Sequence, residues 1–227
     1  ETRLLLKKKI SFSEEILFFR FFCKKNFSEE MSFFIVIQAK INKKYIYRSF
    51  SPLIVKKKEI NLFLKFQKSK NFFHFLKTLP INSSLKISKT AVLLKIKRNM
   101  KKFIGIVANG TGITACWQFL EFFSKFNSRT KIKLLLGNAS VENIPFLEKL
   151  KDFELNSPNI KIFYILEKPS TLINFEQGII SKKHIQNFIG RPDIGKSVFV
   201  CGPLKMNLPI FKNLHLLGFS KESIIKF

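Results

Sequence analysis

The segment IGIVANGTGITA, Ile104 to Ala115, places an apolar run directly before Asn109-Gly110-Thr111-Gly112 and helix-forming residues directly after it. Gly110 and Gly112 admit backbone conformations and close approaches closed to larger residues. The free N–H groups of a helix starting there would suit a pyrophosphate. A glycine-rich turn from strand to helix is also a common structural joint, and the full GxGxxG pattern is absent, so this segment alone leaves both readings open. A second segment bears on the choice. Val198 to Cys201 reads as a strand that runs into Cys-Gly-Pro-Leu-Lys-Met, Cys201 to Met206, with Pro203 suited to open a helix. In a parallel sheet this sets Cys201 and Gly202 at the same carboxyl edge as Gly110, where such sheets bind ligands. The alternative for Cys201 is a small buried strand residue. The third segment is Tyr47-Arg48-Ser49-Phe50-Ser51-Pro52. Arg48 suits bidentate phosphate contact, and Phe50 and Ser51 set an aromatic face beside a hydroxyl. A surface turn closed by Pro52 would carry the same signature.

The elements that would position these residues follow from patterning. Up to about residue 100 the chain shows short apolar runs broken by Lys, Asn and Ser: Ile16 to Phe22, Ser32 to Ala39, Tyr45 to Phe50, Ile60 to Phe66, Leu85 to Ile87 and Val92 to Ile96. Their length and their Phe, Ile and Val content predict strands of a barrel or sandwich. Asn71 to Leu79 is the helical exception. From Lys101 the rhythm changes. Strands are predicted at Phe103 to Ala108, Ile132 to Leu136, Ile160 to Leu166 and Ser197 to Cys201. Helices are predicted after the Gly-Thr-Gly turn and at Ile144 to Phe153, Ser181 to Phe188 and Leu204 to Leu217. Such alternation implies a parallel sheet covered on both faces. Two domains are therefore expected, 1–100 and 101–227, meeting near Asn99 to Lys102.

The formal net charge of +26 would ordinarily point to a polyanionic partner. Yet Phe occurs 28 times against a single Trp, and Lys far outnumbers the arginines. A joint excess of Lys, Phe, Ile and Asn is what AT-rich coding produces, so part of the charge records genome composition. Lys7-Lys8-Lys9, Lys43-Lys44 and Lys56-Lys57-Lys58 read as solvated strand ends and turns, and no helix carries one continuous basic face. Cys23, Cys116 and Cys201 lack CxxC spacing, which argues against zinc and fits a reducing, intracellular compartment. No stretch reaches about 18 uninterrupted apolar residues, the length of a membrane-spanning helix. The chain opens at Glu1 rather than Met, which leaves room for an upstream anchor or targeting peptide.

Taken in order, the three segments resemble the ferredoxin-NADP reductase superfamily, most closely its NADH-cytochrome b5 reductases, over nearly the whole chain. The resemblance implies an antiparallel Greek-key barrel that binds FAD, followed by a Rossmann-like α/β domain that binds NAD. The family's Arg-x-Tyr-Ser/Thr motif is matched by Arg48-Ser49-Phe50-Ser51. By that match Arg48 contacts the FAD phosphates, Phe50 lies against the isoalloxazine, Ser51 bonds near flavin N5 and Pro52 closes the segment. The second flavin segment, Gly-Lys-Met-Ser in the family, corresponds to Lys70-Asn71-Phe72-Phe73. The Gly-Gly-Thr-Gly-Ile-Thr-Pro motif corresponds to Asn109 to Ala115, which assigns Gly110, Thr111, Gly112 and Thr114 to the nucleotide. Cys-Gly-Pro-Pro-x-Met corresponds to Cys201, Gly202, Pro203, Leu204, Lys205 and Met206, with Cys201 beside the nicotinamide. LLLGNASVENI and YILEKPSTLINFEQGII resemble the family's next two segments. Glu167 would then accept ribose hydroxyls and repel a 2′-phosphate, favouring NADH over NADPH, with Gln177 and Gly178 lining the same pocket. The terminal Phe227 matches a family habit of ending in an aromatic near the flavin.

The implied reaction takes a hydride from NADH to flavin N5 and then passes single electrons to an acidic haem protein such as cytochrome b5, with Ser51 and Cys201 nearest the transfer. It requires no metal and no general acid or base, in keeping with the lack of a Ser-His-Asp set. His74, His184 and His215 read as structural or surface residues. Electrostatic steering of an acidic acceptor would give the positive charge a second cause. With an upstream anchor the expected location is the endoplasmic reticulum or mitochondrial outer membrane; without one it is the cytoplasm. Two other readings compete: a reductase with a different acceptor, and a flavin-less basic protein of reductase ancestry that binds nucleic acid or an assembly. Nucleic acid is the less favoured partner.

Overall fold

The computed structural model describes residues 2–11, 16–27, 31–56, 58–65, 71–95, 101–125, 129–169 and 175–227. Lys70, Phe66, Lys57 and half of the expected boundary at Asn99 to Lys102, namely Asn99 and Met100, lie outside the described residues. The chain forms two compact units, 1–95 and 96–227.

The first unit is a seven-stranded antiparallel sheet. Its strands are β1 (Arg3–Ser11), β2 (Ile16–Cys23), β3 (Met31–Ile41), β4 (Lys44–Phe50), β5 (Leu53–Lys56), β6 (Glu59–Lys65) and β7 (Ser84–Lys95). Their order is β4-β3-β7-β1-β2-β6-β5. The last strand thus inserts between β3 and β1, a Greek-key type of crossing. In a flat sheet six spacings of about 4.8 Å would part β4 from β5 by about 29 Å. Only Ser51 and Pro52 join Phe50 to Leu53, a reach of about 11 Å. The sheet must therefore roll until its two edges meet at a seam. Alternating residues fill the interior: Leu4 and Leu6, Phe19 and Phe21, Ile35 and Ile37, Ile60 and Leu62. Helix α1 (Asn71–Thr78) adds Phe72 and Leu76 to this core.

Two expectations need correction here. Lys7-Lys8-Lys9 is not a strand end but lies within β1, where a register shift between Leu6 and Lys8 turns the chain and leaves Lys7 and Lys8 exposed. Leu85 to Ile87 and Val92 to Lys95 belong to one strand, because two register shifts against β3 carry the polar residues between them through the ladder, and Ile96 lies outside the described residues. Lys43 is indeed a turn residue. Asn42 and Lys43 have φ of 48° and 64° and join the paired Ile41 and Lys44, the two-residue hairpin that demands positive φ.

The second unit is a six-stranded parallel sheet ordered β11-β10-β9-β8-β12-β13. Its strands are β8 (Phe103–Asn109), β9 (Lys131–Asn138), β10 (Ile160–Leu166), β11 (Phe175–Gln177), β12 (Lys196–Cys201) and β13 (Ile224–Lys226). The helices are α2 (Ile113–Lys125), α3 (Leu147–Asn156), α4 (Lys182–His184) and α5 (Leu204–Leu216). The central strands are buried on both faces, as a covered parallel sheet requires. Trp117 of α2, 2% exposed, packs its ring on Phe146 and Phe153. The helix expected at Ile144 to Phe153 starts later, at Leu147, because Phe146 adopts a left-handed φ of 56°. The one expected at Ser181 to Phe188 is a single α-turn that widens into a π-turn over Ile185–Ile189.

Tyr164 of β10 is 3% exposed, and its hydroxyl has no partner among the described residues. Burial, then Glu154 and Glu148, push its phenol well above the ordinary tyrosine range. An unsatisfied buried hydroxyl costs about 1–3 kcal/mol. Tyr164→Phe is therefore expected to raise unfolding stability by about 1 kcal/mol in a urea titration. A loss of stability would mean that the hydroxyl is held.

Candidate functional site

Chain order runs outward from β8 through β9 and β10, then returns to β12 on the other side of β8. The reversal leaves a crevice at the carboxyl ends of β8 and β12, the place where open α/β sheets bind ligands. Gly110 to Gly112 form a 3-10 turn there, Gly110 at φ 54°, and lead directly into α2. Thr114 Oγ1 donates to the Thr111 carbonyl at 2.9 Å and braces the turn. The first turn of α2 holds no acidic residue, so its positive end stays free for an anion. A Cβ on Gly112 would stand 2.6 Å from the Cys201 carbonyl oxygen and 2.6 Å from Gly202 Cα. Gly112 is thus what lets the turn lie against the end of β12.

Beside this turn a cleft of about 180 Å³ opens over the ends of β8, β9 and β10. Asn109, Gly137 and Asn138 line it, with Glu167 and Gly178 from the β10 to β11 region and Met206 from α5 among its other walls. Glu167 is fixed through its backbone: its N–H donates to the Asn138 carbonyl at 3.2 Å, and its carbonyl accepts from Gln177 Nε2 at 3.3 Å. Its exposed carboxylate stands at the rim. Gln177 is thus a brace for Glu167 and is not among the lining residues of the cleft. Gly178 donates to the Leu166 carbonyl at 2.8 Å and has φ of 131°. Pro203 stands just before α5 as its N-cap, and its carbonyl accepts from the N–H groups of Met206 and Asn207.

Cys201 is fully buried, and its thiol is hydrogen-bonded to that of Cys116. Burial and then Cys116 hold its pKa well above the usual thiol value, so it stays a neutral thiol and not a nucleophile. Phe227 follows β13. Its N–H donates to the Val200 carbonyl at 3.1 Å and its ring meets Phe119 at 5.8 Å and Phe199 at 5.3 Å, edge to face. The patterning had shown neither β11 nor β13, each only three residues long. It also passed over three asparagines at this edge: Asn109, Asn138 and Asn207. The available signal was an amide ending each of two otherwise apolar strands.

In the first unit, Ile46, Arg48 and Phe50 of β4 lie on the side that pairs with the buried Ala39, Ile37 and Ile35 of β3. Ile46 and Phe50 pack on the core, whereas Arg48 is exposed and its Nη1 donates to the Tyr47 carbonyl at 2.9 Å. No carboxylate among the described residues pairs with it. The Phe50 ring stacks on Phe72 at 6.0 Å, which brings the 48–52 segment to the start of α1. Asn71 is exposed at that start, Phe72 is 1% exposed and serves as the wall behind Phe50, and Phe73 is partly buried. Ser51 and the buried Pro52 form the seam. A guanidinium without a carboxylate partner, an aromatic face and a helix start together suit a phosphate-bearing aromatic ligand.

Among the described residues no helix is long and apolar enough to cross a membrane, and no three His, Cys, Asp or Glu side chains gather as a metal site. Residues 106–208 match the family described as the oxidoreductase NAD-binding domain. The chain is 27% identical over 196 residues to NADH-cytochrome b5 reductase 1 of Dictyostelium discoideum, covering 85% of this chain and 68% of that protein. Against NADH-cytochrome b5 reductase 1 of Kluyveromyces lactis the identity is 29%, covering 84% and 70%. The fold superposes on the cytochrome b5 reductase domain of Ulva prolifera nitrate reductase with a TM-score of 0.89 at 21% identity, covering 99% of this chain and 96% of that one. The relatives extend the likeness well beyond the nucleotide half, and the rolled barrel and parallel sheet are the architecture that this likeness implied. Over most of its length the chain is thus similar to NADH-cytochrome b5 reductases, and within it residues 106–208 match the oxidoreductase NAD-binding domain.

Proposed function

We propose that this chain is an FAD-dependent NADH reductase whose acceptor is a haem protein of the cytochrome b5 kind. The observation that carries the reading is the Gly110 to Gly112 turn lying against Cys201 and Gly202, beside a cleft rimmed by Glu167. When bound, FAD accepts a hydride from NADH and releases the electrons singly, chemistry that belongs to the cofactor. The protein's residues bind and orient. In the 1–95 unit Arg48 meets the FAD phosphates, Phe50 backed by Phe72 presents an aromatic face to the flavin, and Ser51 offers a hydroxyl. In the 96–227 unit the amides that open α2 meet the NADH pyrophosphate, and Glu167 accepts the adenosine ribose hydroxyls. The neutral Cys201 thiol gives shape without charge, so no protein nucleophile competes for the nicotinamide. The net charge of +26 suits an acidic acceptor, which it would steer at low salt.

Glu167→Ala is expected to raise KM for NADH about tenfold, equivalent to about 1.4 kcal/mol, and to narrow the preference over NADPH. Steady-state kinetics with both nucleotides would check this; an unchanged preference would remove Glu167 from the ribose site. The reading as a whole is tested by the visible spectrum of the purified protein before and after anaerobic addition of NADH. A yellow protein that bleaches is expected. A colourless protein that cannot be reconstituted with FAD would overturn it.

A further inference from the structure

Two side chains in the cleft lack partners that their burial demands. Asn109 ends β8 at 5% exposure and Asn138 ends β9 at 8% exposure, and both line the cleft. Each keeps its Nδ2 without a hydrogen-bond acceptor among the described residues. Most buried side-chain polar atoms in folded proteins find a partner, so two orphan donors meeting in one cleft call for an explanation. The backbone makes room for this arrangement. Asn109 pairs across the ladder with Gly137, and a Cβ on Gly137 would stand 2.6 Å from Asn109 Oδ1. Asn109 also replaces the first glycine of the motif that the chain otherwise matches through Thr114. Its side chain is therefore an addition of this chain.

Position says what would satisfy the donors. Asn109 directly precedes the Gly110 to Gly112 turn, and the carbonyl of Asn138 holds the backbone of Glu167. The two amides thus lie between the turn suited to phosphate and the carboxylate suited to ribose. Accepting oxygens between those two points belong to the adenylate half of a dinucleotide.

Resting on the nucleotide reading above, we propose that Asn109 and Asn138 form a donor pair that binds a phosphate or ribose oxygen of the adenylate half. Asn109 is then an affinity determinant for NADH. On binding, ligand oxygens accept from both amides.

The test titrates ADP-ribose and nicotinamide mononucleotide by calorimetry into the wild type, Asn109→Ala, Asn109→Asp and Asn138→Ala, with thermal unfolding of each protein free of added nucleotide. Asn109→Ala and Asn138→Ala are each expected to weaken ADP-ribose about tenfold, leave nicotinamide mononucleotide unchanged and not lower the ligand-free Tm. Asn109→Asp, which swaps a donor for an anion, should weaken ADP-ribose further. If the alanine variants bind ADP-ribose as the wild type does, the donor pair is overturned while the nucleotide reading stands. So it is if Asn109→Ala lowers the ligand-free Tm at unchanged affinity, since the amide then serves the fold, Asn207 Oδ1 being a nearby orphan acceptor beside Gly202. A wild type that binds neither ADP-ribose nor NADH overturns the nucleotide reading, and this inference with it.

Discussion

Gly112→Ala is expected to lower the melting temperature by roughly 2–12 °C and to cut NADH-dependent turnover by about a hundredfold. The added Cβ would stand 2.6 Å from the Cys201 carbonyl oxygen, 2.6 Å from Gly202 Cα and 2.7 Å from the Cys201 carbonyl carbon. All three are backbone atoms, so no rotamer change relieves the clash. Overpacking of this kind costs about 1–3 kcal/mol, and about 2–4 °C is lost per kcal/mol in chains of this size. Relief requires the turn to withdraw from the end of β12, and a misplacement of about 1 Å can cost about a hundredfold in rate. Differential scanning calorimetry with NADH kinetics reads both effects. Wild-type melting and turnover would show that the turn does not bear on β12.

Phe72→Ala produces the second large effect, in the barrel. Phe72 is 1% exposed and stacks on Phe50 at 6.0 Å and on Phe75 at 6.3 Å. Truncating a buried phenylalanine costs about 3–5 kcal/mol. The same change removes the wall behind Phe50, so bound flavin, read as the ratio of absorbance at about 450 nm to that at about 280 nm, is expected to fall with it. Phe72→Leu keeps most of the volume and is expected to stay yellow at a smaller cost. Full flavin content in a destabilised Phe72→Ala protein would separate the core from the flavin site and refute the coupling.

How much of this the sequence disclosed depended on whether a segment's signal was its own. Ile160 to Leu166 was legible to the residue, because an apolar run interrupted only by the exposed Lys161 and bounded by Asn159 and Glu167 needs no partner to declare itself a buried strand. Strand β1 was not legible, since Lys7 and Lys8 owe their strand geometry to pairing with β2 across a register shift. The same holds for β7, whose polar middle is carried by β3. In the candidate site the glycine turn was legible because backbone freedom is written in residue type, whereas Glu167 followed only from the resemblance to the reductase family. The orphan state of Asn109 and Asn138 was not, because an asparagine at a strand end has the same sequence signature as an ordinary turn residue. Only burial distinguishes the two.

The seam at Ser51 and Pro52 has a consequence for how the first unit meets its ligand. Two residues tether opposite margins of the sheet, so the circumference of the barrel is set by covalent length and not by a hydrogen-bonded ladder. Arg48, Phe50 and Ser51 all sit on or beside that tether. Their backbone spacing is therefore set before any ligand arrives, so a flavin docking there as proposed would meet a frame that loses little backbone entropy on binding.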